Sequence, residues 1–348
     1  MNIGEINKID RSGMLQLILD FPEQMENALV LAKKADICIR DKSIKNICVL
    51  GMGGSAIGGD IIRSYLFNTL KIPFYVNRFY KIPAFVDEHS LVFACSYSGN
   101  TEETLSAYQQ AIQQNATIVC ITSGGQLTEE VKRRGQGVIS IPGGQPPRSA
   151  LAYLSIPLLH CLAANGFIPE QESVITETIS VLRQLRSVLK PAAMENEAEQ
   201  LSRKLYRKIP LILSSAPYLD AVALRWKSQF SENSEIMAFA NVFPELNHNE
   251  IMGWGPYVDV NRNFKVVYLD DSKEHERVRR RMEVSEEIFL RQTDEVLRVR
   301  SRGETLLARI FSLIFIGDMV SFYLAIRNQV DPTAIKNIDF LKRSLAKS

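Results

Sequence analysis

Continuous apolar runs of strand length alternate along this chain with stretches of helical composition. That pattern belongs to a parallel sheet covered by helices on both faces. In the N-terminal half the runs are Asn46–Leu50, Pro73–Val76, Leu91–Cys95, Ala116–Ile121 and Val138–Ile141. Helices are expected there over residues 14–36, Asp60–Phe67, Glu102–Asn115 and Leu127–Arg134. In the C-terminal half the runs are Pro210–Leu213, Phe264–Leu269 and Val296–Val299, with helices ending near Phe230 and spanning Lys273–Arg291 and Thr305–Arg327. Asn46–Tyr65 and Pro210–Gln229 share one plan: an apolar strand, a turn of small residues, a helix. The chain therefore reads as two copies of a doubly wound α/β unit.

At 348 residues the chain is too long for one ordinary domain and suits two. The expected division is residues 1–165, a helical linker over 166–205 broken at Pro191, and residues 206–348. Lys and Arg number 41 and Asp and Glu 39, a balance without the basic footprint of a nucleic-acid binder. The cluster Arg277, Arg279, Arg280 and Arg281 alternates with glutamates and reads as a solvated helix face. The five cysteines form no CxxC pair and read as buried reduced thiols. Residues 1–5 show no leader, and the apolar stretch Thr305–Ile326 is interrupted by Arg309 and Asp318, so it reads as a buried helix. A cytoplasmic chain bound to neither membrane nor nucleic acid is the expectation.

The chemistry gathers in the turns after the strands. Gly51-Met52-Gly53-Gly54-Ser55-Ala56 follows a strand and opens a helix, where glycines let a ligand approach and free N–H groups favour an anion. The same residues fit a dinucleotide fingerprint weakly: the next strand ends in Asn77-Arg78, without the usual acidic residue, although an arginine suits a 2′-phosphate. Ser96-Tyr97-Ser98-Gly99-Asn100-Thr101 opens another helix with three hydroxyls in six residues. Helix capping needs one hydroxyl, and a phosphate monoester uses several. Arg148 follows the proline-rich Pro142–Pro147 loop and is either a surface arginine or a cation placed for an anion. In the second half, Glu232 lies in Phe230-Ser231-Glu232-Asn233-Ser234 and His248 in Asn247-His248-Asn249-Glu250. His248 has no second histidine at i+3 or i+4, so a metal site is disfavoured. Asn241–Trp254 reads as a long connection with exposed apolar residues, Phe243, Leu246, Ile251 and Trp254.

Taken together, GMGGSAIGGD, SYSGNTEET, ITSGG, QPPRSALAYL, FSENS and PELNHNEIMGW resemble the bifunctional phosphoglucose/phosphomannose isomerases over nearly the whole chain. That family, in the phosphoglucose isomerase superfamily, is built from two sugar isomerase (SIS) domains with a flavodoxin-like three-layer αβα fold. The resemblance implies that Ser96, Ser98 and Thr101 hold a sugar 6-phosphate, with Gly53, Gly54 and Ser55 assisting. It implies Glu232 as the base between C2 and C1, His248 in ring opening and Arg148 at the enediolate. It implies a C-terminal lysine in ring opening, for which Lys342 and Lys336 compete and Lys342 is preferred; Asp331-Pro332-Thr333-Ala334 departs from the family's DPTP beside them. No metal or cofactor is implied, and the partner is a second copy of the chain, with His248 reaching across a two-fold axis into a shared active site. A non-catalytic sugar-phosphate sensor and an NADP-dependent oxidoreductase are the alternatives.

Overall fold

A computed structural model of the chain describes residues 1–40 and 43–345. The N-terminal half runs α1 (Ile3–Ile9), α2 (Met14–Leu19), α3 (Phe21–Ala35), β1 (Asn46–Leu50), α4 (Gly53–Tyr65), β2 (Phe74–Asn77), β3 (Ser90–Ser96), α5 (Glu102–Gln113), β4 (Thr117–Thr122), α6 (Gly125–Arg134), β5 (Gly137–Ser140), α7 (Leu151–Ala164) and α8 (Glu172–Leu189). The C-terminal half runs α9 (Glu197–Leu205), β6 (Ile209–Ser215), α10 (Asp220–Asn233), β7 (Phe239–Phe243), the single turn α11 (Val258–Asn261), β8 (Phe264–Asp270), α12 (Glu276–Phe289), β9 (Val296–Arg300), α13 (Leu306–Arg327) and α14 (Lys336–Leu345). The chain forms two compact units. One comprises Asp20–Ser180 and Glu304–Ile310; the other comprises Met1–Leu19, Val181–Gly303 and Phe311–Ser348. This division assigns the first nineteen residues to the C-terminal unit and splits 166–205 between the two, unlike the sequence boundaries at 165 and 205.

The N-terminal unit holds a five-stranded parallel sheet in the order β2-β1-β3-β4-β5. This is the flavodoxin-like doubly wound order, whose ligand crevice opens where β1 and β3 part company. β3 is buried along its whole length, as a central strand with helices on both faces must be. Leu50 pairs with Ala94 and Ser96 with Thr122, so the turns that follow β1, β3 and β4 leave the sheet side by side. The C-terminal unit holds a four-stranded parallel sheet in the order β7-β6-β8-β9. Two parallel-sheet α/β units are what the alternation of periods predicts.

Three sequence expectations need correcting. Residues 239–243 form an edge strand, which takes in the first three residues of the connection expected over Asn241–Trp254. As an edge, β7 leaves Phe239 exposed and carries Asn241 in mid-strand, so it lacks the continuous apolar run of a central strand. Phe243 and Leu246 are fully buried in the core of the C-terminal unit, and Ile251 and Trp254 pack against it; none of the four is the exposed residue expected. Cys38 is exposed, whereas Cys48, Cys95, Cys120 and Cys161 are buried. α13 is long and apolar enough to cross a membrane by length and composition, and its apolar stretch is wholly buried within the fold. The α12 arginines conform to the sequence reading: Arg277, Arg279 and Arg280 are exposed, and Arg280 pairs with Glu283 at 3.0 Å.

Candidate active site

In the N-terminal unit the expected phosphate residues gather at the crevice between β1 and β3. Ser96 ends β3 and is fully buried. Its hydroxyl donates to Thr101 Oγ1 at 3.0 Å and accepts from the Gly99 N–H at 3.1 Å, so it shapes the loop from below. Ser98 stands at the exposed tip, its hydroxyl accepting from the Asn100 N–H at 3.3 Å. Thr101 occupies the N-cap of α5 with extended backbone, yet its side chain makes no capping bond. The first N–H groups of α5 therefore stay open toward the loop, beside three hydroxyls. Capping does not account for these residues. Thr104 Oγ1, buried in the first turn of the same helix, has no hydrogen-bond partner among the described residues.

The glycine-rich turn is explained by close approach. A Cβ on Gly54 would lie 2.7 Å from the Pro147 carbonyl oxygen, so the backbone that carries Arg148 rests directly on the start of α4. Gly53 adopts φ +47° at the first position of that helix. Ser55 is buried, and its hydroxyl accepts the Tyr97 N–H at 3.1 Å. Thr122–Gly125 forms a platform under the hydroxyl loop: Ser123 Oγ donates to the Tyr97 carbonyl at 2.6 Å, and the Gln126 N–H donates to Asn100 Oδ1 at 2.9 Å. Arg148, in a short 3-10 turn over Pro147–Ser149, is only 4% exposed, so it is not a surface arginine. A buried guanidinium keeps its charge and exerts it at low dielectric. Gln145, three residues earlier, carries a buried side-chain Nε2 with no partner among the described residues. Gln145 and Thr104 lie within the QPPR and SYSGNTEET motifs with no role legible there; an unsatisfied buried donor becomes visible only in the fold.

Arg78, the residue that kept a 2′-phosphate reading open, is paired with Asp60 of α4. Its charge is engaged within the fold.

In the C-terminal unit Glu232 lies in the last turn of α10, half-buried. It lines a cavity of about 440 Å³ with Ser231, Glu235, Met237 and, from the start of α14, Ile335 and Lys336. Lys342 is exposed on α14 and His248 is exposed at the end of a 3-10 turn, Glu245–His248; neither lines this cavity. The topology explains the separation. α10 leaves the carboxyl end of β6 and returns antiparallel to it, so its last turn reaches the amino edge of the sheet. β7 then runs forward again, and His248 follows its carboxyl end. A five-residue strand puts these edges about 17 Å apart. Two of the other histidines have local tasks: His275 Nδ1 accepts from the Arg277 N–H at 3.2 Å at the start of α12, and His89 Nδ1 meets Ser43 Oγ at 2.9 Å. Among the described residues no three His, Cys, Asp or Glu side chains converge as metal ligands.

Comparison with known proteins fits this picture. Residues 42–130 match the SIS domain, and residues 194–345 match the bacterial phospho-glucose isomerase C-terminal SIS domain. The chain is 43% identical over 335 residues to the bifunctional phosphoglucose/phosphomannose isomerase of Caldicellulosiruptor bescii, covering 96% of this chain and 99% of that one. The chain belongs to the bifunctional phosphoglucose/phosphomannose isomerase family. Another member, from Thermoplasma acidophilum, is 38% identical over 330 residues, covering 94% of this chain and 98% of that one. Among solved structures, a hypothetical protein from Thermus thermophilus superposes with a TM-score of 0.75 at 15% identity, over 96% of this chain and 90% of that one; this likeness speaks for the fold. Within the phosphoglucose/phosphomannose isomerase family, the two-unit SIS architecture is accounted for along the chain.

Proposed function

We propose that this chain, an isomerase by family, interconverts glucose 6-phosphate and mannose 6-phosphate with fructose 6-phosphate through an enediol. The observation that carries the reading is the hydroxyl loop at the β1/β3 crevice: Ser96, Ser98 and Thr101 beside an α5 start that the Thr101 side chain leaves uncapped. That arrangement suits a phosphate monoester. Glu232 is the base. It takes the proton from C2 of the aldose and returns it to C1, while the hydroxyl proton shifts from O2 to O1, so no atom is gained or lost. Arg148 supplies positive charge where the enediolate oxygen develops. The two aldoses differ only at C2, which becomes planar in the enediol, so both pass through the same intermediate. His248 and a lysine of α14, Lys342 or Lys336, handle the ring oxygen; Lys336 has the cavity it shares with Glu232 in its favour. The mechanism uses no metal ion.

The reading extends to assembly. Glu232 and His248 belong to opposite edges of one sheet, which supports a homodimer in which the histidine acts in its partner's site. The chain that follows His248 exposes Met252, Tyr257 and Val260, residues suited to a contact between copies.

The deciding experiment is a coupled assay of fructose 6-phosphate formed from each aldose, with and without EDTA, on the wild type and Glu232→Gln. Turnover should survive EDTA. In the variant kcat should fall about 10³-fold while sugar-phosphate binding persists. Normal turnover by Glu232→Gln overturns the base; binding without any wild-type turnover returns the sensor alternative.

A further inference from the structure

Tyr97 sits between the two serines of the hydroxyl loop, and its own atoms run elsewhere. Its N–H donates to Ser55 Oγ at 3.1 Å, in the turn after β1. Its carbonyl accepts from the Ser123 N–H at 3.0 Å and from Ser123 Oγ at 2.6 Å, in the turn after β4. Its phenol oxygen accepts the Gln145 N–H at 3.2 Å, in the loop after β5. One residue at the end of β3 is thus bonded to the turns that follow the other three strands of the crevice.

We propose that Tyr97 is a positioning residue: its phenol oxygen sets the height of the proline-rich loop and so places Arg148 for the reaction. The proposal rests on the reading of Arg148 as the cation at the enediolate. Around Arg148 the loop is closed on itself, the Pro146 carbonyl accepting from the Ser149 N–H at 2.9 Å and from Ser149 Oγ at 2.8 Å. Pro142, Pro146 and Pro147 have no N–H to donate, and the Gln145 N–H goes to Tyr97. The loop is also stopped by Gly54, where a Cβ would meet the Pro147 carbonyl at 2.7 Å. The backbone before Arg148 thus meets both a steric stop at Pro147 and a hydrogen bond at Gln145. The phenol is buried, and burial raises its pKa above the ordinary 10.0, so it remains a neutral acceptor throughout the working range.

Tyr97→Phe deletes that acceptor and keeps the buried ring and every backbone bond. Kinetics with glucose 6-phosphate should show kcat about tenfold lower, since small misplacements of a reacting group are costly, with KM within about twofold because the hydroxyl loop is intact. The unfolding midpoint should drop by no more than about 3 °C. Hydrogen exchange followed by mass spectrometry should rise in residues 142–149 and stay unchanged in residues 96–105. Unchanged kcat overturns the proposal, and so does unchanged exchange in 142–149. A KM rise matching the loss in kcat, with a large drop in melting midpoint, overturns it in favour of a purely structural tyrosine. If the wild type isomerises neither aldose, the functional reading has failed, and the exchange experiment still decides whether Tyr97 holds the loop.

Discussion

Gly99 shows how little freedom single residues have around the hydroxyl loop. Its φ is +69°, and a Cβ there would lie 1.8 Å from the Gly124 carbonyl oxygen. The hydroxyl loop and the turn after β4 therefore meet backbone to backbone, and an alanine must distort both. Gly99→Ala should lose about 2–4 kcal/mol in chemical denaturation, from overpacking plus the left-handed backbone. It should also raise KM for sugar phosphate more than it lowers kcat, because the damage falls on the phosphate loop. Unchanged stability and KM would show that this contact carries no weight. The motif's spelling announced a tight turn and three hydroxyls. It did not announce that Ser96 faces inward as a strut while Ser98 faces out, because a side chain's direction depends on the strand end and turn that present it.

At the scale of elements, α10 is fastened to α13 by polar contacts inside the core. Arg225 pairs with Asp318 at 2.6 Å, Gln229 Nε2 donates to Asp318 at 2.9 Å, and Asn233 Nδ2 donates to Ser321 Oγ at 3.0 Å. Trp226 Nε1 donates to the Leu313 carbonyl at 2.9 Å, over Gly317, where a Cβ would clash with the indole. These contacts fix the rotation of the helix whose last turn carries Glu232. Breaking a buried ion pair leaves an unpaired charge, so Asp318→Ala should cost about 3–5 kcal/mol in urea denaturation. A loss below about 1 kcal/mol would deny the network a structural role. A second element is held from a distance: Glu177 of α8 accepts the N–H groups of Glu304 at 2.7 Å and Thr305 at 3.3 Å, just before α13. Burial pulls its carboxyl up, but those N–H groups, the Thr305 hydroxyl and Arg309 outweigh burial and hold it below its ordinary 4.5. A depressed carboxylate stabilises the fold above its unfolded value and loses that contribution as pH falls through the folded value. Glu177→Ala should therefore cost about 1 kcal/mol at pH 7, with the difference from wild type disappearing in acid. Urea titrations at neutral and acid pH check the sign; a difference that grows in acid would contradict it.

For the whole molecule, the proposed assembly makes its own prediction. Glu232→Gln and His248→Ala, each inactive alone, should recover part of the activity when refolded together, because one site of a mixed dimer then carries neither defect. Mixed dimers that form and stay dead would sink the shared site. The fold was legible because strand and helix periods are local: each apolar run buries itself wherever it lands, and parallel order follows from the helices between runs. The edge strand β7 was hidden because half of it faces water and needs no apolar run. The loop motifs were legible as chemistry because glycines and hydroxyls crowd into few residues. What only tertiary structure decided is which groups share a place. The 4% exposure of Arg148, the cavity common to Glu232 and Lys336, and the inward turn of Phe243 and Leu246 each depend on residues far along the chain. Burial and proximity are properties of the packed chain, and no local run of sequence contains them.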